Sequence, residues 1–427
     1  MNKETREECL ELSSGIPLYS FNNPGVNRFY LSLFLRAGSM FEEERESGIT
    51  HFLEHILIRN VNEIMGGELY RILDRNGLDL NASTYSEMVQ FYVTGAKEKL
   101  LLGAELLSKL LSPIILPPSE IDLERKRIKA EMRESDERGS LASFTSGILH
   151  EGTSLSRSIT GSFGSVGGFT RRKLESYRKR VFTRENVFLY LTGSFDEEGL
   201  SGIERIFSGY PLPNGEKNLN LAPVSRNFGK REPKLYVKAA DYTVLRFSFD
   251  LDMTRISLPE SDLLYDTLLG GYSSRLFIEL SEKRGLFYDI QGASECYPNI
   301  GSLSFYFELK GADAAEAVRA VLELLSEFKN TTLKEEECMK ASYVDNAMML
   351  CDDSRDLNFT LAYDNHIMGL GYSTIGERIE AYRRVTPERL REVASIVFRP
   401  ENLTLTAKGN RRALDYTAIE SALKSFG

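Results

Sequence analysis

The sequence contains few cysteines and no long apolar run. Its four cysteines are scattered, with no C-x-x-C pair, at positions Cys9, Cys296, Cys338 and Cys351. This spacing predicts neither a disulfide framework nor a thiolate zinc site, and it fits a reducing compartment. The most apolar runs, such as residues 29–35, are far shorter than the roughly 20 residues needed to span a bilayer. We therefore expect no membrane-spanning segment.

The chain also lacks an excess of basic residues, with a formal net charge of −9 and a pI near 5.4. Nucleic acids and anionic membranes both favour a basic surface, so neither is expected to be the main partner. Residues 1–8 are charged and lead into no apolar segment, so they do not resemble a secretory signal. We therefore expect a cytoplasmic protein.

Histidine is scarce as well, and two of the four histidines lie in one short segment, His51-Phe52-Leu53-Glu54-His55. In a helix, His51 and His55 would project from the same face, and Glu54 would point into the same space. The order H-x-x-E-H inverts the H-E-x-x-H signature of zinc peptidases. The segment therefore predicts a zinc site with a base beside it, although histidines at this spacing also occur as core or capping residues.

A catalytic zinc usually has three protein ligands and a water molecule, so the segment needs a further ligand. His150 and His366 are isolated in the sequence, which makes a carboxylate the better candidate. Glu131 lies seven residues after Glu124, so both would share one helical face. Charged pairs of this kind are usually solvated surface residues, but the incomplete zinc site gives Glu131 more weight.

The two glutamates lie on a predicted helix that follows a Pro-Pro pair. Ser119 is expected to be the N-cap of this helix, and Asp122 would complete a capping box. Apolar residues continue along the segment as far as Met132. The helix would therefore carry both carboxylates towards the same partner.

Several short segments resemble, in the same order, those of the pitrilysin, insulinase and mitochondrial processing peptidase family. They are 36–39, 51–55, 81–84 with Glu87, 129–132, 273–277 and 282–288. Together they extend over most of the chain. The resemblance implies one zinc ion per chain, held by His51, His55 and Glu131, with Glu54 as the general base. Glu124 is expected either to orient a ligand histidine or to be a solvated helix residue.

The resemblance also implies where a peptide substrate would bind. The segment with Asn81 and Ala82 would offer an exposed strand edge, to which an extended peptide adds as a further strand. Backbone hydrogen bonds of this kind tolerate many sequences. Asn81 and Ala82 are therefore candidate substrate-binding residues.

A further substrate contact is implied in the second half of the chain. In the family, an arginine seven residues before a tyrosine grips the substrate together with that tyrosine. Tyr288 matches the tyrosine, but Ser281 stands at the arginine position. Arg284, one helical turn from both positions, or a partner subunit is a candidate to compensate. Without the resemblance, Tyr288 would be interpreted as an ordinary half-buried aromatic residue.

An internal repeat is visible without reference to any family. Residues 169–193 and 385–409 share a series of positions at a constant offset of 216 residues. The shared residues are Thr170 and Thr386, Leu174 and Leu390, Val181-Phe182 and Val397-Phe398, Glu185-Asn186 and Glu401-Asn402, and Gly193 and Gly409. A fixed spacing over so many positions indicates a duplication.

The duplication predicts an α+β fold of two homologous halves, each a mixed sheet with helices. The expected organisation is a zinc-binding catalytic half at 1–210, a Pro-, Asn- and Gly-rich linker at 211–234, and a half without metal at 235–427. A shift of His51 and His55 by 216 residues lands on 267–271, where no ligand remains. The resemblance implies that the halves close like a clam shell around a chamber.

Alternation and apolar periodicity predict the elements of each half. Strands are expected near 29–35, 90–94, 187–191, 245–251 and 302–309, and helices near 97–111, 171–182, 313–328 and 386–398. The glycine-rich residues 161–168 lack the Gly-Lys-Ser/Thr ending of a phosphate loop, so a flexible surface loop is expected there. No other cofactor motif stands out.

Two functions of different classes fit these residues. The first is a zinc endopeptidase that hydrolyses short or unstructured peptides. The second is a peptide-binding or scaffold subunit that is catalytically weak without a partner, which Ser281 favours. That partner would be a second copy of the chain or a related subunit. Glu54 favours the first function, because a structural subunit needs no general base.

Overall fold

The computed structural model describes residues 5–135, 139–331, 333–334 and 338–427. Residues 1–4, part of the segment considered as a secretory signal, lie outside the described residues. The strands and helices expected from the sequence are present, with ends that differ by a few residues. Residues 211–234, the predicted linker, contain no helix or strand.

The chain divides into two compact units. The first comprises the described residues of 1–136, 157–220 and 347–377, and the second those of 137–156, 221–346 and 378–427. Each unit thus includes one segment from beyond its own half of the sequence. The units therefore do not coincide with continuous halves, and the boundaries 1–210 and 235–427 stay a prediction about the duplicated sequence.

Six strands form the sheet of the first unit. They are β1 Glu8–Glu11, β2 Pro17–Asn22, β3 Arg28–Leu35, β4 Asp79–Thr84, β5 Val89–Ala96 and β6 Val187–Gly193. Their order across the sheet is β1-β2-β6-β3-β5-β4. β2 and β6 are parallel, and the other neighbours are antiparallel. β4, which contains Asn81 and Ala82, is therefore an edge strand.

Helices cover the apolar face of this sheet. On this face lie α1 Ile49–Ile64, α2 Leu69–Asn76, α3 Leu100–Ser108, α4 Pro118–Glu134, α6 Phe163–Gly167, α7 Arg171–Val181 and α8 Glu197–Phe207, whereas α12 Ser354–Ala362 lies on the opposite face. Leu31 and Leu33 of β3 share one buried core with Phe52 and Ile56 of α1. Burial of each such side chain contributes about 1.5–3 kcal/mol, which fixes α1 against the sheet.

The opposite face of the first sheet carries polar and aromatic side chains and is covered by α12. Ser32 donates a hydrogen bond to Asn358 Oδ1 at 2.7 Å. Asn358 in turn donates to the carbonyl of Tyr190 at 2.9 Å. Because α12 belongs to residues 347–377, the first unit is completed by a segment from the second half of the sequence.

Five strands form the sheet of the second unit. They are β7 Leu235–Ala239, β8 Thr243–Asp252, β9 Gln291–Cys296, β10 Ile300–Leu309 and β11 Leu403–Gly409, in the order β7-β11-β8-β10-β9. Its helices include α5 Leu141–Leu149, α9 Leu258–Leu269, α10 Ala314–Asn330, α14 Pro387–Val397 and α15 Tyr416–Ser425. The unit boundaries at 346–347 and 377–378 fall within α11 Lys340–Met349 and α13 Ile375–Arg383.

The two sheets confirm the predicted α+β duplication. The order β2-β6-β3-β5-β4 of the first sheet matches β7-β11-β8-β10-β9 of the second, and each has one parallel pair at the same place. The repeated sequence forms the same elements in both copies, α7 followed by β6 and α14 followed by β11. The repeated threonines Thr170 and Thr386 are both N-caps and accept a backbone N–H from the third helical residue.

Two local expectations were wrong. Ser119 is not the N-cap of α4, because the helix begins at Pro118, whose ring fixes a backbone angle suited to a first helical residue. Asp122 pairs with Arg125 instead of closing a capping box. Residues 161–168 are not a loop, since they contain α6, whose N-cap Ser162 accepts the backbone N–H of Ser165 at 3.1 Å.

None of the helices in the described part of the chain combines the length and the apolar character that crossing a membrane requires.

Candidate metal centre

The helix α1 presents the histidine segment from a firmly held N-terminus. The carboxylate of Glu42 accepts the backbone N–H of Gly48 at 2.8 Å and that of Thr50 at 2.9 Å. A negative group at this end also complements the helix dipole. Gly48 has a φ of +87°, and a Cβ there would lie 2.6 Å from the carbonyl oxygen of Thr160. Only glycine fits at this position, and the start of α1 that it allows determines where the two histidines lie.

Within α1, His51, Glu54 and His55 each place one donor atom within 4.8 Å of the others. His51 and Glu54 are buried, and the two imidazole rings lie with their centroids 4.7 Å apart. The helix expected from the sequence is therefore present, and it brings the three side chains of the segment together.

Glu131 on α4 reaches both histidines. Its Oε1 lies 3.5 Å from His51 Nε2, and its Oε2 lies 3.5 Å from His55 Nε2. Hydrogen bonding to His51 and the charges of both histidines lower the pKa of Glu131, against the opposing effect of burial. The carboxylate that the sequence suggested as a further ligand therefore converges with His51 and His55.

The spacing of these atoms fits a zinc ion. Donor atoms about 2.0–2.2 Å from a tetrahedral centre are separated from one another by about 3.3–3.6 Å. Both 3.5 Å separations between Glu131 and the histidines fall in this range. Two imidazole nitrogens and a carboxylate are a common donor set for a catalytic zinc. The residues present therefore fit the metal that the sequence predicted.

Glu124 contacts the other side of one histidine. Its Oε1 lies 3.0 Å from His55 Nδ1. When Nδ1 carries the proton, Nε2 keeps its lone pair and faces Glu131. Burial alone would lower the pKa of His55, but the bond to Glu124 and the nearby charges of Glu54 and Glu131 raise it overall.

Glu124 itself is enclosed, with only 6 % of its side chain exposed. Burial raises the pKa of its carboxyl, but the hydrogen bond and charge of His55 and the charges of Arg127 and Arg59 lower it overall. Glu124 is thus an ionised group inside the protein. It is not the solvated helix residue that the sequence left as the alternative.

Glu54 has a partner that the sequence analysis did not identify. The hydroxyl of Thr84 donates to Glu54 Oε2 at 2.8 Å. Thr84 is the last residue of the edge strand β4, thirty residues from Glu54. Thr84 belonged to a segment that resembles the family, but a sequence pattern does not show which side chains of two segments touch.

The candidate peptide-binding edge lies on the same strand. Asn81 is exposed and Ala82 is half-buried. The side chain of Asn81 accepts the backbone N–H of Ala82 at 2.8 Å, so an amide occupies one edge position.

Tyr288, Arg284 and Ser281 belong to the second unit. Tyr288 is 95 % exposed, so it is not a half-buried aromatic residue. It lines a cavity of about 670 Å³ together with residues such as Asp289 and Gln291. The hydroxyl of Ser281 donates to the carbonyl of Phe287 at 2.8 Å.

Arg284 lies in the turn that closes a helix, where the backbone N–H of Gly285 donates to the carbonyl of Ser281 at 2.8 Å. A π-helix at Phe277–Glu282 ends before this residue, and Arg284 lies exposed in the following turn. The helix stops there because Gly285 adopts a φ of +62°, which a continuing helix does not allow.

Two sequence models of one family match this chain. "Insulinase (Peptidase family M16)" matches residues 19–161, and "Peptidase M16 inactive domain" matches residues 168–342. The chain belongs to peptidase family M16. The first match contains the H-x-x-E-H segment and Glu131, and the second contains Tyr288.

Curated relatives of similar length carry the name zinc protease. An "Uncharacterized zinc protease" from Rickettsia felis is 26 % identical over 395 residues, which cover 90 % of each chain. One from Mycobacterium tuberculosis is 26 % identical over 336 residues, covering 77 % of this chain and 76 % of the relative.

Solved structures show the same fold. A protease from Helicobacter pylori superposes with a TM-score of 0.81 at 18 % identity, covering 95 % of this chain and all of that one. The periplasmic protease PqqL from Escherichia coli gives a TM-score of 0.80 at 19 % identity. That match covers 98 % of this chain but 50 % of PqqL, so this chain spans half of that protein.

Proposed function

We propose that this M16 protein is a zinc-dependent endopeptidase that hydrolyses short or unstructured peptides and holds one zinc ion per chain. The observation that carries the proposal is the convergence of His51, His55 and Glu131 beside the carboxylate of Glu54. The names of the curated relatives support the choice of metal and reaction.

A bound zinc ion would supply Lewis acidity, which lowers the pKa of a water molecule to about 7 and polarises the scissile carbonyl. Glu54 would take a proton from the attacking water and later deliver it to the leaving amine. Thr84 holds Oε2 of Glu54, so we assign the proton transfer to Oε1. Glu124 would keep the proton of His55 on Nδ1 and thereby turn Nε2 to the metal.

The edge strand β4 supports an extended mode of substrate binding. A peptide that adds beside Asn81 and Ala82 would form backbone hydrogen bonds once the Asn81 side chain turns away from the Ala82 N–H. Such binding requires a peptide that can become extended, which favours short or unfolded substrates. From the second unit, the exposed hydroxyl of Tyr288 would donate to the oxyanion or to the bound peptide, and the exposed Arg284 is a further candidate contact.

A second candidate function is a catalytically weak or peptide-binding subunit that needs a partner. Ser281 favours it, because this hydroxyl is engaged with the Phe287 carbonyl and supplies no charge to a substrate. The match of 168–342 to an inactive-domain model and the double length of PqqL also favour it. The partner would be a second copy of this chain or a related subunit.

Metal analysis combined with cleavage of a quenched, unstructured peptide tests the main proposal. The purified chain and its Glu54→Gln variant should each contain one zinc ion, and only the unmodified chain should cleave. If both proteins contain zinc but neither cleaves any member of a varied peptide library, the result would contradict an independently active peptidase and favour the partner-dependent subunit. Absence of zinc from the unmodified chain after loading would contradict both the metal and the mechanism.

The Ser281→Arg variant separates the two candidate functions. If the missing arginine limits the isolated chain, this variant should cleave the quenched peptide faster than the unmodified chain, mainly through a lower KM. An unchanged rate would show that the position is not limiting. Ser281→Ala is the matched control, because it removes the bond to Phe287 without adding a charge.

We also infer a cytoplasmic location. None of the four cysteines, which all lie in the described part of the chain, forms a disulfide, and this suits a reducing compartment. Fractionation of cells that express the tagged full chain should place it with cytoplasmic markers. Recovery with membrane or exported fractions would contradict the inference.

A further inference from the structure

Arg59 lies on α1 between two carboxylates of α4. Its Nε donates to Glu120 Oε2 at 2.8 Å, and its Nη2 contacts the same oxygen. Its Nη1 lies 3.6 Å from Glu124 Oε2. The guanidinium is largely enclosed, with 19 % of the side chain exposed. Arg59 therefore joins α1 to α4 one helical turn beyond His55.

The two oxygens of Glu124 have different partners. Oε1 faces His55 Nδ1 at 3.0 Å, whereas Oε2 faces the guanidinium groups of Arg59 and Arg127. A carboxylate as enclosed as Glu124 carries its charge at a large desolvation penalty unless cations offset it. Arg59 supplies such a cation from the opposite helix. It therefore bears on both the charge and the direction of the group that contacts His55.

We propose that Arg59 is a positioning residue of the metal centre, which holds Glu124 against His55 and thereby raises the affinity of the site for zinc. The inference rests on the proposed zinc site. It adds a residue to the chain of contacts, which then runs from Glu120 through Arg59 and Glu124 to His55.

An arginine suits this position for a geometric reason. Glu120 and Glu124 are four residues apart on α4 and so project from the same face. The planar guanidinium presents several N–H donors in a fixed fork, so that it hydrogen-bonds Glu120 while Nη1 lies within ion-pair distance of Glu124, at 3.6 Å. A lysine ammonium is a single point charge and would satisfy one of them. Lysine at 59 should therefore restore only part of the effect.

Arg127 is a natural comparison within the same site. Its Nη1 donates a hydrogen bond to the same oxygen of Glu124 at 3.3 Å, but it lies on α4 itself and 58 % of its side chain is exposed. Water screens an exposed pair of this kind, and the contact does not connect the two helices. Removing Arg127 takes away the same formal charge without the link between α1 and α4.

Competition with a chromogenic zinc chelator measures the affinity of the full chain directly. Residues that contact a metal-bound histidine typically contribute 10–100-fold in metal affinity. Because Arg59 acts through such a residue, we expect Arg59→Gln to weaken zinc binding by roughly 3–10-fold, below that range. Arg59→Lys should recover part of the loss. Arg127→Gln should stay within about twofold of the unmodified chain.

The pathway through Glu124 is tested by combining variants. Glu124→Gln should weaken zinc binding more than Arg59→Gln, and adding Arg59→Gln to it should produce little further loss. Equal losses from Arg59→Gln in both backgrounds would overturn the proposal, because Arg59 would then act by another route. Zinc affinity of Arg59→Gln equal to that of the unmodified chain, or an equal loss in Arg127→Gln, would also overturn it.

Folding and function are kept apart by two further measurements. Thermal unfolding of the metal-free variants shows whether Arg59→Gln folds; if it does not, Arg59→Lys and Glu120→Gln carry the test. Glu120→Gln leaves Arg59 in place but weakens its hold on α4, and it should weaken zinc binding more than Arg127→Gln does. Zinc binding without peptidase activity would contradict the proposed hydrolysis and leave this test intact, whereas a chain that binds no zinc would overturn both.

Discussion

The helices α1 and α9 follow equivalent strands of the two sheets but begin in different ways. In α9 the third residue is Glu260, which reaches back and accepts the N–H of the N-cap Ser257 at 2.8 Å. In α1 the N-cap is Gly48 and the third residue is His51. The position that caps the helix in the second unit is therefore a candidate metal ligand in the first.

This exchange explains the role of Glu42. A helix leaves its first backbone N–H groups without partners inside the helix, and a local capping box usually satisfies some of them. In α1 the third residue is not available for this purpose, and a carboxylate from before the helix accepts two of these N–H groups. In α1, therefore, His51 occupies the first-turn position that would close a capping box, and Glu42 caps the helix instead.

The largest contrast is expected when the two third residues are replaced. His51→Gln should lower the zinc content from one ion to nearly none and reduce peptide cleavage by more than about 1,000-fold, since both the ligand and the activated water are lost. Glu260→Ala should retain zinc and cleavage. It should lower the free energy of unfolding by about 1–2 kcal/mol, because the Ser257 N–H loses its acceptor and Arg389 loses one of its acceptors.

Metal analysis, cleavage assays and urea titrations on the same preparations check this pair. A His51→Gln protein that keeps stoichiometric zinc would contradict the prediction, because His51 would then not be a zinc ligand. Loss of zinc from Glu260→Ala would show that the two helices do not have separate roles.

Contacts between the end of a strand and a helix that precedes it in the chain offer the next contrast. In the first unit Thr84, at the end of β4, donates to Glu54 of α1. In the second unit Cys296, at the end of β9, lies with its Sγ 3.7 Å from the hydroxyl of Ser261 on α9. Burial raises the pKa of Cys296 to about 12, so the thiol stays neutral. The end of the strand contacts the helix in both units, although at different helix positions, and only in the first unit does the contact involve a candidate base.

Thr84→Val should therefore lower kcat by about 10–100-fold, the effect of a lost hydrogen bond to a charged group, with zinc content unchanged. Thr84→Ser should restore most of the rate, because the hydroxyl is kept. Cys296→Ala is the matched control and should reduce stability by about 1 kcal/mol without altering kcat. Steady-state kinetics that show equal rates for Thr84→Val and the unmodified chain would remove Thr84 from the mechanism.

The sequence predicted the parts of this comparison that depend on local chemistry. The i,i+4 histidines fixed one face of α1, and the repeated caps Thr170 and Thr386 marked the same helix in both halves. The constant offset of 216 residues between the two repeats does not hold for α1, the helix with the two histidines. Gly48 and Ser257, the N-caps of α1 and α9, are 209 residues apart instead of 216. The shifted segment therefore fell at the end of α9 and not at its start.

Contacts between distant segments could not be predicted from the sequence. Nothing in the pattern pairs Glu42 with the start of α1, Thr84 with Glu54, or Arg59 with α4, since each contact depends on how the elements pack. The placement of residues 347–377 in the first unit was also not predicted. That segment covers the second face of the first sheet. The residue pattern along one strand does not show which distant segment will pack against it.

The two ways of capping give a smaller contrast in stability. Glu42→Ala should lower the free energy of unfolding by about 1–3 kcal/mol, because two buried N–H groups lose their acceptor. Ser257→Ala should lower it by about 1 kcal/mol. Only Glu42→Ala should also weaken zinc binding, because His51 follows the capped turn directly. Equal zinc affinities in both variants would mean that the cap of α1 serves stability alone.

The smallest effect concerns acid pH and the buried carboxylates of the two units. Burial alone would raise the pKa of Glu7, but contact with His366 and hydrogen bonds from Tyr190 and Asn365 lower it overall. In the second unit, burial of Asp250 outweighs its neighbours, including Arg231, and raises its pKa. The two groups should therefore make stability depend on pH in opposite directions.

For Glu7, the folded pKa lies below the unfolded value of about 4.3, so its stabilisation is complete above that pH and is lost as pH falls through the folded pKa. For Asp250, folding favours the protonated acid, so its contribution declines as pH rises. Glu7→Gln should be about 1–2 kcal/mol less stable than the unmodified chain at pH 6, and this difference should shrink below about pH 4. Urea titrations followed by circular dichroism between these pH values measure it. Because Asp250 is present in both proteins, its contribution cancels when they are compared. A stability difference that does not change with pH would show that His366, Tyr190 and Asn365 do not stabilise Glu7 as a carboxylate.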